Sequence, residues 1–127
     1  MSYLDKCIKT KEMARICYDN GIYDSCVNRY YYSFYQELMH KLQEKKIKVE
    51  ATETNGGSHV KTFNTFKRYL KDVKRIKMTR ITAINSDFIR FKKLREKADY
   101  NQEMLSKEEA DKAIGTYNSL KKEFKSL

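Results

Sequence analysis

The sequence predicts an all-α fold, an antiparallel bundle of five helices in a single domain that spans residues 1–127. The chain has no proline and only four glycines, so it contains few residues that interrupt a helix. Apolar residues recur at spacings of three and four, which is the period of an amphipathic helix and not of a strand. Hydrophobic residues make up 40% of the chain, which is enough for one modest core.

A stop signal separates the first two predicted helices. Apolar residues within 4–18 approximate one helical stripe, and Asn20-Gly21 then ends the helix because both residues tolerate the left-handed conformation. A second helix is predicted from about residue 22 to residue 47. Its apolar positions cover about half of its circumference, so we expect it to be the central, most buried helix. These positions are Tyr23, Cys26, Val27, Tyr30, Tyr31, Phe34, Tyr35, Leu38 and Leu42.

Three further helices are predicted after a polar loop at residues 50–57 (EATETNGG). Ser58 is the expected N-cap of the third helix. Between residues 75 and 83, β-branched residues alternate with basic ones, which predicts a short connector before a fourth helix over about residues 85–101. The fifth helix has the best start signal in the chain, the Ser106–Glu109 capping box. The apolar stripe of the third helix is Val60, Phe63, Phe66, Leu70 and Val73. That of the fourth is Ile84, Phe88, Phe91, Leu94 and Ala98, and that of the fifth is Ala110, Ala113, Ile114, Tyr117, Leu120 and Phe124.

Composition excludes several classes of protein. The chain has no apolar run that is typical of a secretory signal, and no stretch that is long enough to span a membrane. Cys7, Cys17 and Cys26 form no C-x-x-C pair and accompany no histidine cluster, which favours reduced thiols over a zinc site. We therefore expect a cytoplasmic protein without metal, cofactor or membrane association.

The net charge of +10 comes from one segment. Residues 61–97 contain 13 basic and 3 acidic residues, whereas residues 1–60 have a net charge of +1 and residues 98–127 a net charge of −1. A field so concentrated favours polyanions, because each phosphate that is neutralised releases counterions. We expect RNA or a nucleotide phosphate as the partner; a solvated surface, an acidic protein and a membrane are the alternatives.

Arg95 lies inside the apolar stripe of the predicted fourth helix, about 20° from Ile84 around the helix axis. An arginine cannot shed its charge, so burying it without a partner is costly. Asp99, four residues further on, is the obvious partner. Either the two residues form a buried pair that fixes helix packing, or the stripe lines a groove in which Arg95 meets a phosphate. Both interpretations stay open at this point.

The second helix also carries a narrow polar arc, formed by Asn28, Arg29, Tyr32 and Gln36. These side chains are placed to bind a facing helix or a ligand, although solvent exposure is favoured for Gln36. In the run of three tyrosines at 30–32, only Tyr32 lies outside the apolar arc, so it is the candidate for base stacking. His40 and His59 are isolated in sequence, and each is expected to be a surface or packing residue and not a catalyst.

Three segments resemble HEPN-domain proteins. Residues 21–34 (GIYDSCVNRYYYSF) are similar to the family's G-x-y-x-x-A-x-N-R-x-Y-Y-x-x-F segment, Ser58-His59 with Phe63 to its S-H…F segment, and residues 94–100 (LREKADY) to its L-R-x-x-A-D-Y signature. The resemblance implies a small all-α bundle that dimerises and acts with RNA or nucleotides. Many members are ribonucleases of toxin–antitoxin or phage-defence systems, encoded beside a minimal nucleotidyltransferase that neutralises them.

The family's nuclease motif is an arginine followed a few residues later by a histidine. Arg95 matches the arginine, but positions 100–102 are Tyr, Asn and Gln. Metal-independent RNA cleavage needs one group that moves the 2′-hydroxyl proton and another that stabilises the pentavalent phosphate. Tyr100 is a poor base at neutral pH and points about 140° away from Arg95 on an unbroken helix. We therefore expect weak or absent nuclease activity.

Together these inferences predict a homodimer that binds RNA or a nucleotidyltransferase partner. The candidate catalytic residues are Arg95, Asp99 and Tyr100. The candidate RNA- or nucleotide-binding residues are Asn28, Arg29, Tyr32, Arg90, Lys92 and Lys93. Two other functions stay open: a metal-independent variant ribonuclease that uses Arg95, and a protein-binding module in which the Arg95–Asp99 pair is purely structural.

Overall fold

A computed structural model describes residues 2–49 and 58–126, and within those ranges the fold is all-α, as predicted, without a β-strand. The predicted loop at 50–57 and the side chain of Ser58 lie outside the described residues. The elements are α1 (Tyr3–Asp19), α2 (Tyr23–Glu44), α3 (Ser58–Asp72), α4 (Met78–Tyr100), α5 (Lys107–Lys122) and a terminal 3₁₀-helix, η1 (Glu123–Ser126).

Helix α2 is central, as its wide apolar arc predicted, and it packs against α1, α3, α4 and α5. It runs antiparallel to α1, since the two helices pack against each other and only the short turn at residues 20–22 separates them. The Ser33 hydroxyl donates to the Cys7 carbonyl at 2.8 Å and the Thr10 hydroxyl donates to Gln36 at 2.9 Å across this pair. Asp24 near the start of α2 accepts a hydrogen bond of 2.7 Å from the backbone N–H of Leu105. This bond fixes the segment between α4 and α5 against the central helix.

Aromatic rings dominate the core where α2, α3, α4 and η1 meet. Phe34 stacks on Phe124 with ring centroids 5.4 Å apart and also contacts Phe91 at 6.0 Å. The rings of Phe63 on α3 and Phe88 on α4 lie 3.9 Å apart. All five of these rings are buried, and each contributes about 1.5–3 kcal/mol by leaving water. The core therefore holds α3 and α4 side by side on α2.

Capping boxes begin two of the helices. The Ser106 hydroxyl accepts from the backbone N–H of Glu109 at 3.2 Å, while the Glu109 carboxylate accepts from the backbone N–H of Ser106 at 3.2 Å. This arrangement confirms the predicted start of α5. Ser2 and Asp5 form the same motif at the start of α1. Each box satisfies N–H groups that a helix terminus leaves without an intrahelical partner.

Three helices end just before a residue in the left-handed conformation. Gly21 (φ 72°) follows α1, Lys46 (φ 56°) follows α2 and Arg75 (φ 53°) follows α3. After α2 the chain turns back, and the backbone N–H of Ile47 donates to the carbonyl oxygen of Leu42 at 2.9 Å. Helix α2 therefore ends at Glu44, earlier than predicted, because the chain turns at Lys46 and closes the helix terminus.

The predicted connector over 75–83 is wrong, because α4 already begins at Met78. Ile81 and Ile84 are buried against the core, and this burial outweighs the modest helix propensity of the β-branched residues around them. Val73, predicted to be in the core, is 60% exposed because α3 ends one residue before it. The true connector is the short turn from Val73 to Lys77.

The three cysteines carry free thiols. Cys7 and Cys26 are buried, whereas Cys17 is partly accessible. Burial raises the pKa of Cys26 to about 11 and also raises that of Cys7. Both buried thiols are therefore protonated at neutral pH.

Candidate functional site

Arg95 on α4 lies at the contact between α4 and α2, beside Tyr31, Asn28 and Asp99. We call this group of residues the niche. The side chain of Arg95 is only 13% exposed, which confirms that this cation falls inside the apolar stripe. The guanidinium carbon lies 4.9 Å from the centroid of the Tyr31 ring on α2, a cation–π contact. Burial lowers the pKa of Arg95, but the hydrogen bond to Asp99 and the neighbouring tyrosines raise it, and the net direction is upward. The guanidinium therefore keeps its charge in a poorly solvated place.

Asp99 is held from two sides. Its Oδ1 accepts from Asn28 Nδ2 on α2 at 2.8 Å, and its Oδ2 accepts from Arg95 Nη1 at 3.3 Å. Charge-assisted N–H···O bonds are usually about 2.7–2.9 Å long, so the contact with Arg95 is the looser of the two. The predicted Arg95–Asp99 pair exists, and Asn28 joins it to α2. Asn28, Asp99 and Arg95 therefore form one cluster across the α2–α4 interface.

Two polar atoms in this niche lack a hydrogen bond of good geometry among the described residues. They are Arg95 Nε and Tyr31 Oη; both are shielded from solvent, and the two side chains interact with each other closely enough to shift both pKa values. Leaving such a group unsatisfied costs about 1–3 kcal/mol. Burial raises the pKa of Tyr31 to about 12, although the charge of Arg95 opposes the shift, so the phenol stays neutral. The niche thus holds a full positive charge that its own hydrogen bonds satisfy only in part.

His59, near the start of α3, lies beside the same tyrosines. Its ring centroid is 4.0 Å from that of Tyr35, 5.3 Å from Tyr32 and 5.4 Å from Tyr31. Tyr31 contacts both His59 and Arg95, so the imidazole and the guanidinium are no more than about 10 Å apart. Burial lowers the pKa of His59, and the charges of Arg95 and Lys92 lower it further. The imidazole is therefore neutral at pH 7.

The sequence predicted His59 to be a surface or packing residue, and its ring contacts agree with packing. The closeness of His59 to Arg95 was not predicted. The signal that was available is the Ser58-His59 motif, which belongs to the same resemblance as Arg95. Periodicity within one helix does not reveal how α3 sits on α2, and that placement brings His59 to the tyrosines.

Some of the other predicted binding residues lie at the niche and others lie away from it. Tyr32 contacts His59, and Lys92 lies one turn before Arg95, where it pairs with Glu96 at 3.6 Å. Arg29 is exposed, about 100° around α2 from Asn28. The structure thus brings Tyr32 and Lys92 to the niche.

Tyr100, Arg90 and Lys93 lie away from the niche. Tyr100 is 79% exposed at the last position of α4, consistent with the predicted angular separation from Arg95. Arg90 and Lys93 are exposed about 140° and 160° around α4 from Arg95, because their spacing from it does not match the helical repeat. They face other surfaces of α4.

The basic surplus of residues 61–97 is spread along α3, α4 and the turn between them, and is not collected around Arg95. The turn between α3 and α4, with Lys74, Arg75 and Lys77 exposed, lies about 27 Å from Arg95 along the helix axis at about 1.5 Å per residue. Some of the cations are paired within the fold, as in Arg80–Glu123 and Lys97–Glu109, each at 2.5 Å. The distant part of the surplus therefore attracts a polyanion to the surface of α3 and α4, and salt screens its effect at the niche itself.

A cleft of about 680 Å³ opens on the other side of α4, between α4 and α5. Arg90 and Leu94 line it, but Arg95, Asp99 and His59 do not. Arg90 pairs with Asp87 at 3.8 Å, on an exposed surface where such pairs contribute little. We place the candidate site at Arg95 because a buried, incompletely satisfied charge is a stronger sign of binding chemistry than an open volume.

The described residues contain no helix with the length and apolar character needed to cross a membrane. In the same two ranges, no three side chains of His, Cys, Asp or Glu come together in a way that could hold a metal ion. No family model matches the chain, and comparisons with curated proteins and with solved structures find no match.

Proposed function

We propose that this chain is a HEPN-type protein that binds the phosphate group of RNA or of a nucleotide at Arg95. The observation that carries the proposal is the state of the guanidinium: largely buried on Tyr31, loosely paired with Asp99, and left with an unsatisfied Nε. A guanidinium has five N–H donors in a planar fork that matches a phosphate group. A phosphate at the exposed edge of Arg95 would accept from the terminal N–H groups of the guanidinium, which Asp99 holds only through one loose contact of 3.3 Å.

We extend this function to the biological setting that the motif resemblance implies. The protein would act in the cytoplasm as a homodimer, in a toxin–antitoxin or phage-defence system with a nucleotidyltransferase-type partner. Catalysis would be weak or absent, since no histidine follows Arg95 at the motif position. The net charge of +10 supports a polyanionic partner, because it draws phosphates towards α3 and α4 over long range.

A pair of arginine variants tests phosphate binding. The affinity for a fluorescent RNA oligonucleotide is measured by anisotropy between about 50 and 200 mM salt, for the wild type, Arg95→Met and Arg90→Met. Arg90 is the matched control because it lies on the same helix, is exposed and faces away from the niche. We expect binding to weaken with salt, and to weaken at least tenfold in Arg95→Met but less than threefold in Arg90→Met. Equal affinity of the two variants would overturn the proposal.

A second candidate function, metal-independent RNA cleavage, is favoured by the position of His59. In this step the neutral imidazole takes the 2′-hydroxyl proton, and the 2′ oxygen attacks the adjacent phosphorus. The bond from phosphorus to the 5′ oxygen breaks, that oxygen takes a proton from water, and the imidazolium of His59 passes its proton to the hydroxide that remains. The products are a 2′,3′-cyclic phosphate and a 5′-hydroxyl, with Arg95 stabilising the charge of the transition state.

The two histidines of the chain provide the test of this second function. RNA is incubated with chelator and with the wild type, His59→Gln or His40→Gln. His40 is the control because it pairs with Glu44 at 3.3 Å on a different part of α2. Cleavage lost in His59→Gln and kept in His40→Gln would support the assignment. Cleavage that survives in His59→Gln would exclude His59 as the base.

A further inference from the structure

A small cleft of about 220 Å³ lies between α3 and α4, next to the niche. Phe63 and Phe88 lie beneath it with ring centroids 3.9 Å apart, and since they are 3% and 5% exposed, only a small part of each ring faces the cleft. Pockets for drug-sized ligands are roughly 300–1,000 Å³, so this cleft suits a single flat ring system. Ile89 at its edge is 45% exposed, which leaves an apolar side chain that a flat ligand would cover.

Amide side chains stand on both sides of the cleft, Asn64 on α3 and Asn85 on α4. The Asn85 carbonyl oxygen accepts from Lys67 Nζ at 2.6 Å, which fixes the amide and leaves its NH₂ group to donate. An amide presents both a donor and an acceptor, the combination that reads the edge of a nucleobase. An apolar floor with two amide side chains is therefore suited to an aromatic heterocycle and not to an aliphatic ligand.

Lys92 connects this cleft with the Arg95 niche. It lines the cleft, it lies one helical turn from Arg95, and its charge acts on His59. Lys67, on the other side, is half-buried over the Phe63 ring at 5.7 Å, and burial lowers its pKa. A ligand with a flat base in the cleft and a phosphate near Arg95 and Lys92 would span two adjacent sites.

We infer that the α3–α4 cleft accepts one unstacked nucleobase of the strand whose phosphate lies at Arg95. This inference rests on the proposed function, since it assigns the base that accompanies the phosphate. Ile89 provides the main apolar contact, above the nearly buried rings of Phe63 and Phe88, and Asn64 and Asn85 distinguish one base from another. The ligand is thus a single-stranded segment, because a paired base cannot enter the cleft.

A strand without bases distinguishes recognition of the base from binding of the phosphate. Fluorescence anisotropy measures the binding of four short strands of equal length and charge: three homopolymers, each with a different base, and one abasic strand. All four carry 2′-O-methyl groups, which make them resistant to cleavage. We expect the best homopolymer to bind about tenfold more tightly than the abasic strand, with the same salt dependence. Equal binding of all four strands would overturn the base site and leave phosphate binding intact. Binding that is insensitive both to salt and to Arg95→Met would instead overturn the proposed function.

An asparagine pair tests the role of the amides in the same assay. Asn64→Leu keeps the size of the side chain and removes its hydrogen-bonding groups, while Asn118→Leu makes the same change at an exposed position of α5. We expect Asn64→Leu to reduce the preference among homopolymers at least threefold and Asn118→Leu to leave it unchanged. Circular dichroism confirms folding of both variants. An unchanged preference in folded Asn64→Leu would exclude Asn64 from base recognition.

Discussion

Replacing Arg95 with methionine distinguishes a structural ion pair from a guanidinium that is held ready for a ligand. Methionine keeps an apolar chain against Tyr31 and removes the charge. Asp99 keeps its hydrogen bond of 2.8 Å from Asn28, and its side chain is 24% exposed. The carboxylate therefore does not become a buried charge without a partner.

The size of the effect follows from these contacts. Removing one partner of a fully buried ion pair costs about 3–5 kcal/mol. Here the variant loses a cation–π contact of about 1–2 kcal/mol and a loose ion pair, but it also removes the unsatisfied Nε, whose burial costs about 1–3 kcal/mol. We expect a net loss of about 1 kcal/mol in the free energy of unfolding, or roughly 4 °C in Tm for a chain of this length.

Urea unfolding at 25 °C, followed by circular dichroism, measures this loss. Arg90→Met is again the control, and we expect it to stay within about 0.5 kcal/mol of the wild type. A loss of about 3 kcal/mol or more in Arg95→Met, with an unchanged m-value, would refute the reasoning. That result would identify the Arg95–Asp99 pair as a structural element of the core.

Three other predictions concern the fold and its pH dependence. Phe66→Ala should lower the free energy of unfolding by about 3–5 kcal/mol in urea titrations, because the ring is fully buried; a loss under 1 kcal/mol would contradict the core described above. Ser106→Ala should cost about 1 kcal/mol by removing the cap of α5, whereas Ser119→Ala in the exposed interior of α5 should cost nothing; equal losses would argue against the capping box. Because burial lowers the pKa of His59, the unfolded chain binds this proton more readily, so stability is lost as pH falls below about 6.5. Thermal scans at decreasing pH should show a smaller fall of Tm in His59→Gln than in His40→Gln, and equal falls would contradict the assignment.

The helices were predictable where local signals and tertiary packing agree. The Ser106 capping box and the Asn20-Gly21 stop signal depend on neighbours in sequence, and both lie where the sequence predicted them. The start of α4 was not predictable in this way. The β-branched residues around Ile81 have modest helix propensity, and only burial against the rest of the bundle, which is not visible in a single segment, makes them helical.

The candidate site was predictable only in part, for the same reason. The helical period placed Arg95 in the apolar stripe and Asp99 within its reach, and both positions are correct. The hydrogen bond from Asn28 and the proximity of His59 depend on how α2 and α3 pack, so neither follows from a single helical wheel. Arg90 and Lys93 were grouped with the site through net charge alone, which does not record which side of a helix a residue faces.

Because two of the three thiols are buried, thiol labelling can measure opening of the fold. Cys7 and Cys26 are shielded and protonated, whereas Cys17 is partly accessible. Thiolates, and not thiols, react with alkylating reagents, so a mild reagent at neutral pH should label the folded chain at Cys17 and the unfolded chain at all three positions. The mass added to the protein gives the number of labelled thiols. That number therefore reports whether the α1–α2 pair has opened, without any engineered probe.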